Sequence, residues 1–459
     1  MRGMKHPMNA PAAVLLLILT AFNAASADAF FSIFSPKKAE EKRNEAAAPK
    51  KKPMGLTLSG AYRLALKRSE DIAMKQEVIH EAEAHFYQAL SIVLPKASFV
   101  MTRFEQDAPQ ESGSAFEGAS GNALRRTRPE RRFIFSQPLF SGFKEFAALQ
   151  ASGAERSQRF FEKRRAEELL FLDVTDAFYA LARSKRDMDI LNDIRRALDQ
   201  RIKELEGRAR IGRSRESEVM TALSDLKLVE YELQVTQRLW IIWEQLLEFY
   251  IGKPLEGELA EEPLENEPSE ISYYLGAAAG RSDVKAGEQA AILAQKNVVV
   301  AQSGLFPTAR LDGNAYTERV GFQSGIDWDV LLTIDVPLFD GAETFGNIKE
   351  AAAKREGARL DFEKRRRQAE LEVKNTYEEL VSSRLEEKAL ADAAEASRKS
   401  YELQNEEYRL NLVSNLEVLE ALRQYQVVRH RLNGAQYEAR KRFWKLKVAS
   451  GLALPEVGT

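Results

Sequence analysis

The chain has no cysteine. That excludes a disulfide framework, a thiol nucleophile and an acylated N-terminal cysteine, so the mature chain is expected not to be lipidated. Proline is missing where it would do most damage to a helix: none lies between Pro138 and Pro254, nor between Pro337 and Pro455. Charge of one sign is also lacking. Lys and Arg number 67 against 69 Asp and Glu, a net charge of −2, which gives no basis for a nucleic-acid partner and leaves no charged tail to explain. Beyond the first residues no segment is apolar enough to cross a bilayer as a helix. Histidine is scarce, and His80, His85 and His430 lie scattered without ligand spacing; no Gly-rich phosphate loop follows a strand. These absences predict a protein that is not an enzyme and that holds no cofactor or metal.

The N-terminus has the parts of an export signal: Arg2 and Lys5, the apolar run AAVLLLILTA from Ala12 to Ala21, and small residues ending at Ala25–Ala27. Residues 1–27 are therefore expected to be a signal peptide, with Ala27-Asp28-Ala29 the competing cleavage site. The run is about half of the ~20 residues a spanning helix needs, which disfavours a retained anchor. Residues 28–55 are expected to be a flexible charged lead, because KKAEEKRNEAAAPKKKP buries too little to order itself. Folding is expected to begin at LTLSGAYRLAL, where Thr57 or Ser59 caps a helix with Ala61, Leu64 and Ala65 at helical spacing.

From there the chain repeats itself. Ile72 falls on Val284 and Leu94-Pro95 on Phe306-Pro307 in one register. SQPLFSGFKEF at Ser136 pairs with DVPLFDGAETF at Asp335, and FEKRRAEEL at Phe161 with FEKRRRQAEL at Phe362. Landmarks that keep their order over this distance mark a duplicated, domain-sized unit. Residues 56–253 form the first repeat, 254–270 a connector, 271–454 the second repeat and 455–459 a tail. Each repeat is expected to hold one helix, two strands and a long helical hairpin, giving a mainly α protein with a small β part. The strands are placed at about 98–105, 131–137, 309–318 and 328–336, and the hairpins at 143–250 and 342–450. Leu191, Ile194, Leu198, Ile202 and Leu205 keep 3 and 4 spacings, the narrow seam of a coiled coil.

The strands alternate. Trp328, Val330, Leu332, Ile334 and Val336 share one face, opposite Asp329, Leu331, Thr333 and Asp335; Phe133 and Phe135 lie opposite Arg132 and Ser136. Lengths near nine residues suit tilted membrane strands as well as a soluble sandwich. Four strands cannot close a barrel, and an open edge in lipid leaves backbone groups unpaired, so a membrane reading requires several protomers to pool strands. Eight, twelve or sixteen strands would each close.

These residues resemble the TolC-like outer-membrane efflux proteins. The resemblance runs from Leu56 to about Ala453 and rests on LTLSGAYRLAL, SIVLPKASF with SGLFPTARL, SQPLFSGF with DVPLFDGA, DVTDAFYALARSKRDMDIL at Asp173 and LNLVSNLEVLEALRQY. It implies a homotrimer with a twelve-stranded outer-membrane β-barrel continued by a periplasmic α-helical barrel, with residues 254–270 near its equator. It also implies an exported outer-membrane protein with a large periplasmic portion, a passive exit duct for efflux or type I secretion, whose partners are a periplasmic adaptor, an inner-membrane pump and outer-membrane lipid. A soluble periplasmic coiled-coil scaffold is the alternative. The cargo stays open between drugs, metals and proteins.

Two breaks interrupt the hairpins, IGRSRESEV at Ile211 and NLVSNLEVLE at Asn411. Each is expected to be a tip where a long helix turns back, so Ile211, Gly212, Arg213, Leu410, Asn411 and Leu412 become adaptor-contact residues under the resemblance. Asn411 stands where the first tip has Gly212, and Asn tolerates the left-handed turn. Glu218, Glu417 and Glu420 begin the returning helices, where the helix dipole favours negative charge. The resemblance assigns Glu417 and Glu420, one turn apart, to a gate that narrows the tunnel. Arg208, Arg210, Arg213 and Arg215 with Glu218 supply the charge of the first tip.

Overall fold

The computed structural model describes residues 55–107, 127–261, 268–320 and 323–452. The predicted signal peptide, the charged lead before Gly55, part of the connector and the C-terminal tail lie outside the described residues.

Two helices, α1 (Leu58–Arg68) and α2 (Glu70–Leu90), precede strands β1 (Lys96–Glu105) and β2 (Thr127–Ser141). The long α3 (Lys144–Arg210) and its return α4 (Glu216–Ile251) follow. The same order then recurs as α5 (Ile271–Ala278), α6 (Ser282–Gln302), β3 (Thr308–Arg319), β4 (Trp328–Asp335), α7 (Glu343–Arg409) and α8 (Asn415–Ala449). The expected single opening helix is two in each half. Ser69 is in the extended conformation and ends α1, and a short turn at Gly280-Arg281 separates α5 from α6. Both α3 and α7 hold 67 residues, about 100 Å at 1.5 Å per residue. Among the described residues no helix is long and apolar enough to cross a membrane.

The chain divides into two compact units that cut across the two repeats. One gathers Ala84–Ser152 and Gln295–Ala352; the other gathers Lys51–Glu83, Gly153–Ala294 and Ala353–Thr459. The first holds one four-stranded antiparallel sheet in the order β1-β2-β3-β4, each repeat contributing one hairpin. Across the register Ala97, Phe135, Gly313 and Val330 stand in one row, and Phe99, Phe133, Ala315 and Trp328 in the next. Directly opposed residues share a face, so these rows, with Leu311 beside Leu332 and Ala309 beside Ile334, make one side apolar. Phe99, Phe133, Trp328, Val330, Leu332 and Ile334 on that side are all exposed. The opposite side is polar and internally bonded. Ser136 Oγ donates to Asp312 at 2.6 Å, while Asn314 Nδ2 and Tyr316 Oη donate to the two oxygens of Asp329 at 2.7 and 2.8 Å.

Strand β2 is longer than the 131–137 expected from alternation. It runs through Pro129 and Pro138, and its register to β3 shifts between Pro138 and Phe140, where a bulge accommodates a residue without an N–H. Each strand-to-helix junction carries two successive left-handed residues, Gly142-Phe143 (φ 66° and 65°) and Gly341-Ala342 (φ 66° and 71°).

In the second unit α1 lays Leu58, Ala61, Tyr62 and Ala65 on Phe171, Val174, Phe178 and Leu181 of α3, with Leu247 and Ile251 of α4 closing the cluster. The corresponding cluster of the second half joins Tyr274 and Ala278 of α5 to Val373 and Leu380 of α7 and Phe443 and Leu446 of α8. Beside it Arg281, 3% exposed, is fully engaged: it bonds Asp283 at 2.8 Å, Glu372 at 2.7 Å and the carbonyl of Ala449 at 3.2 Å. The parallel bridge Leu56–Leu259 ties the start of the described chain to the connector.

The two junctions differ in a measurable way. A Cβ at Gly142 would lie 2.6 Å from the carbonyl oxygen of Ser303, whereas nothing lies within 4 Å of one at Gly341. Gly341→Ala is expected to cost only the left-handed strain of about 1–2 kcal/mol, and Gly142→Ala distinctly more, in denaturant unfolding followed by circular dichroism in detergent. Equal losses would contradict the steric account.

Candidate functional site: the hairpin tips

The seam expected from sequence is the floor of the tip region. Leu191, Ile194, Leu198, Ile202 and Leu205 of α3 are all buried, against Ala222, Leu226 and Val229 of α4 and Tyr408, Val418, Leu419 and Leu422 of α7 and α8. Both hairpins therefore meet along α3, and the turn residues are held out from this common core.

Each tip closes by the same pair of backbone bonds. Arg213 N–H donates to the Arg208 carbonyl at 2.8 Å and Gly212 N–H to the Ala209 carbonyl at 2.9 Å. In the second tip Leu412 N–H donates to Glu407 at 2.9 Å and Asn411 N–H to Tyr408 at 3.0 Å. This is the Schellman arrangement, which needs a left-handed residue after the helix end. Gly212 (φ 73°) and Asn411 (φ 61°) supply it, so Asn411 does occupy the position its side chain tolerates. The tips touch where Arg208 Nη1 donates to Asn411 Oδ1 at 3.3 Å. Arg208 and Arg201 also lie over the ring of Tyr408, at 4.4 and 4.5 Å from its centroid.

The apolar turn residues Ile211, Leu410 and Leu412 are about two-thirds exposed, and Arg210, Arg213 and Arg215 are exposed beside them. Such residues at a loop end present a contact surface rather than a core.

The returning helices start differently. Ser414 accepts from Glu417 N–H, and the Glu417 carboxylate accepts from Ser414 N–H at 2.6 Å and from its hydroxyl at 2.8 Å, a complete capping box. In the first tip Arg215 occupies the cap position with no side-chain bond, and the preceding Ser214 donates its hydroxyl to Glu218 at 2.5 Å. Glu417 and Glu420 are both exposed but do not act together in one protomer. Glu417 turns back to the cap, while Glu420 leans toward Arg423 at 3.4 Å. The hydrogen bonds from the Ser414 backbone and hydroxyl hold the Glu417 carboxyl below its ordinary range.

Two features lay outside the sequence reading. Arg423 of α8 grips Asp225 of α4, 2.7 Å at the closest, and Gln426 donates to Glu232 at 2.7 Å, linking the hairpins just above the tips. No local pattern announces a contact between residues so far apart in sequence. The capping box, in contrast, was written in Ser414-Asn415-Leu416-Glu417, the Ser-x-x-Glu signature of a helix start. His80 bonds Gln76 and Glu77, and His430 bonds Asp187 at 2.9 Å; among the described residues no group of His, Asp and Glu is arranged to hold a metal ion.

Residues 275–452, the second half of this architecture, match the family described as Outer membrane efflux protein. That match likens the second half of the chain to the outer membrane efflux proteins. Outer membrane protein OprJ of Pseudomonas aeruginosa is 27% identical over 148 residues, 31% of this chain and 31% of OprJ, so the alignment spans about a third of that relative. The fold likeness is wider. The outer membrane protein VceC of Vibrio cholerae superposes with a TM-score of 0.74 at 20% identity, over 86% of this chain and 96% of VceC. The CmeC outer membrane channel of Campylobacter jejuni gives 0.72 at 15% identity, over 91% and 94%. At those identities the likeness speaks for the fold alone.

Ser414→Ala is expected to lower stability by about 1 kcal/mol through loss of the cap. Because the Glu417 pKa is lowered on folding, its share of the box is present at neutral pH, begins to fade as pH falls through the ordinary glutamate range near 4.5, and is lost once pH passes below the lowered value. Unfolding midpoints between pH 7 and 3 check both: the wild-type advantage over Ser414→Ala should shrink with acid, and a pH-independent gap would contradict the assignment.

Proposed function

We propose that this chain is the outer-membrane exit duct of a tripartite efflux or type I secretion system, a homotrimer that conducts passively and is gated at its hairpin tips. The observation that carries the reading is the sheet: four strands, one exposed apolar side, one bonded polar side, and β1 and β4 unpaired along their outer edges. In lipid each orphaned backbone group costs several kcal/mol, and closure with the sheets of sister chains removes both edges together. Three copies give twelve strands, with the apolar side toward lipid and the polar side around water. A soluble scaffold would leave Phe99, Trp328, Val330 and Ile334 facing water with no purpose.

In this reading the chain lies in the outer membrane with its hairpins in the periplasm. Ile211, Gly212, Arg213, Leu410, Asn411 and Leu412 meet a periplasmic adaptor, and an inner-membrane pump acts directly or through it. Glu417 and Glu420, repeated around the threefold axis, form the acidic constriction, with Arg215 and Glu218 as charges of the neighbouring tip. Crowded carboxylates attract cations and disfavour anions. The match of residues 275–452 to the outer membrane efflux proteins, and the likeness to proteins that are themselves outer membrane proteins and channels, support this assignment.

Reconstitution tests it. The mature chain, extracted from outer membranes in detergent, should run as a heat-sensitive oligomer and form conducting pores in planar bilayers. Glu417→Gln with Glu420→Gln keeps a hydrogen-bonding side chain at the capping position and removes the charge, so cation preference should fall, with a small loss of stability from the ionised share of the capping box. A water-soluble monomer without conductance would sink the channel, and unchanged conductance and selectivity in the double variant would sink the gate.

A further inference from the structure

The arginines of the sheet fall into two sets. Three are matched with carboxylates: Arg103 with Glu105 at 2.7 Å and Arg131 with Glu318 at 3.0 Å on the apolar side, and Arg310 with Asp312 at 2.7 Å on the polar side near the helix junctions. The other three, Arg128, Arg132 and Arg319, stand on the polar side toward the hairpin ends of the strands, directly across from Phe104, Tyr316 and Glu130 in turn.

This second set holds a single carboxylate bond. Glu130, although opposite Arg319 in the register, pairs with Arg132 at 3.3 Å. Arg128 Nη2 donates to the amide oxygen of Gln106 at 3.4 Å, and its guanidinium lies over the Phe104 ring, 4.7 Å from the centroid. Arg319 donates to the amide oxygen of Gln323 and lies 4.1 Å from the centroid of the Tyr316 ring. Arg128 Nε and Arg132 Nε are shielded from water and have no acceptor among the described residues. Asp327, whose carbonyl accepts the Tyr316 N–H at 2.7 Å where the β3–β4 turn closes, makes no ion pair with any of the three among the described residues.

A guanidinium stays charged at every pH the protein meets and presents a planar fork of donors that matches a carboxylate or phosphate. An amide or a ring face holds such a group in place without neutralising it. Arg128 and Arg319 lie one same-side row apart on adjacent strands, with Arg132 a further row along β2, so their forks converge on one stretch of the polar side. We infer that this cluster is an oxyanion site, in which Arg128, Arg132 and Arg319 take a ligand bearing a carboxylate or phosphate group while Phe104 and Tyr316 hold two of the guanidinium planes. The inference rests on the channel reading for its place in the duct: there the polar side surrounds water and the hairpin ends form the outer mouth. Each copy then adds three arginines to that mouth, which favours anionic cargo, opposite in sign to the acids proposed for the tips.

Citrate is the probe, added to the membrane-extracted oligomer in planar bilayers at low ionic strength with chloride as the background anion. It should reduce the wild-type current, and the reduction should weaken as salt is raised. In Arg128→Gln with Arg319→Gln the half-reduction should need about tenfold more citrate, through loss of the charge-assisted bonds. Arg128→Lys with Arg319→Lys keeps the charge and removes the fork, so ion selectivity should stay near wild type while citrate sensitivity is still lost. Arg310→Gln, which removes an arginine already matched by Asp312, should leave citrate sensitivity unchanged. Equal sensitivity in wild type and the glutamine pair, full sensitivity in the lysine pair, or a similar loss in Arg310→Gln overturns the site, and conduction by these variants leaves the channel reading standing. If the wild type forms no pore, the channel reading fails, and calorimetric titration of the detergent-extracted chain with citrate decides the site alone: binding that the glutamine pair weakens upholds it, and absent or equal binding overturns it.

Discussion

The controlling constraint is backbone hydrogen bonding at the two edges of a sheet that is too small to close. Among the described residues β1 and β4 each pair with a strand on one side only, and the side chains on one face are aromatic and aliphatic. Water solvates the edges but not the face, and lipid solvates the face but not the edges. Under the proposed channel reading, pairing each edge with the opposite edge of a like sheet meets both demands. The duplication serves the same end, since each repeat supplies one antiparallel hairpin and the β2–β3 pairing joins them into a sheet with identical needs at both sides.

The helical unit follows a different economy. Its long helices bury narrow stripes, small residues such as Ala61, Ala65, Ala177 and Ala182 where α1 meets α3, and a leucine and isoleucine seam toward the tips. A narrow stripe leaves most of each helix surface open. The open part is charged, which agrees with a composition of 30% charged residues at a net charge of only −2. Helices that bury little against their own chain keep exposed faces, and the stretches free of proline let those faces run uninterrupted over many turns.

Much of this was legible in sequence because it is periodic. The seam residues, both hairpins, the two-faced strand from Trp328, which ends at Asp335 and not at the expected Val336, and the turn at Asn411 each rest on local spacing or on one residue's conformational preference. What escaped was either non-periodic or non-local. Pro129 and Pro138 broke the alternation of β2 although the bulge near Pro138 lets the strand continue. Ser69 ends α1 without any proline or glycine to mark it. The Arg423–Asp225 grip and the buried Arg281 cluster join distant stretches, and no window of sequence contains both partners. Sequence places Glu417 and Glu420 at the start of α8, but their different engagements were not legible, because spacing places side chains on a face without saying what each one binds.

The two halves are copies in topology and not in detail, and the differences collect at the turns. The first tip uses glycine, a cap without a side-chain bond and a crowd of arginines; the second uses asparagine, a full capping box and two following glutamates. A glycine leaves the first turn free to be rebuilt around charged neighbours, whereas asparagine and the box fix the start of α8. Fixing that helix fixes the direction of Glu420 one turn later. It also holds Arg423 where it reaches Asp225, across to the first hairpin. The tip with the full capping box is therefore the one that carries the candidate gate acids, while the cationic tip leaves Ile211, Arg210 and Arg213 exposed. Duplication supplied two equivalent turns, and their separate local chemistry gives one a fixed pair of acids and the other an exposed cluster of arginines.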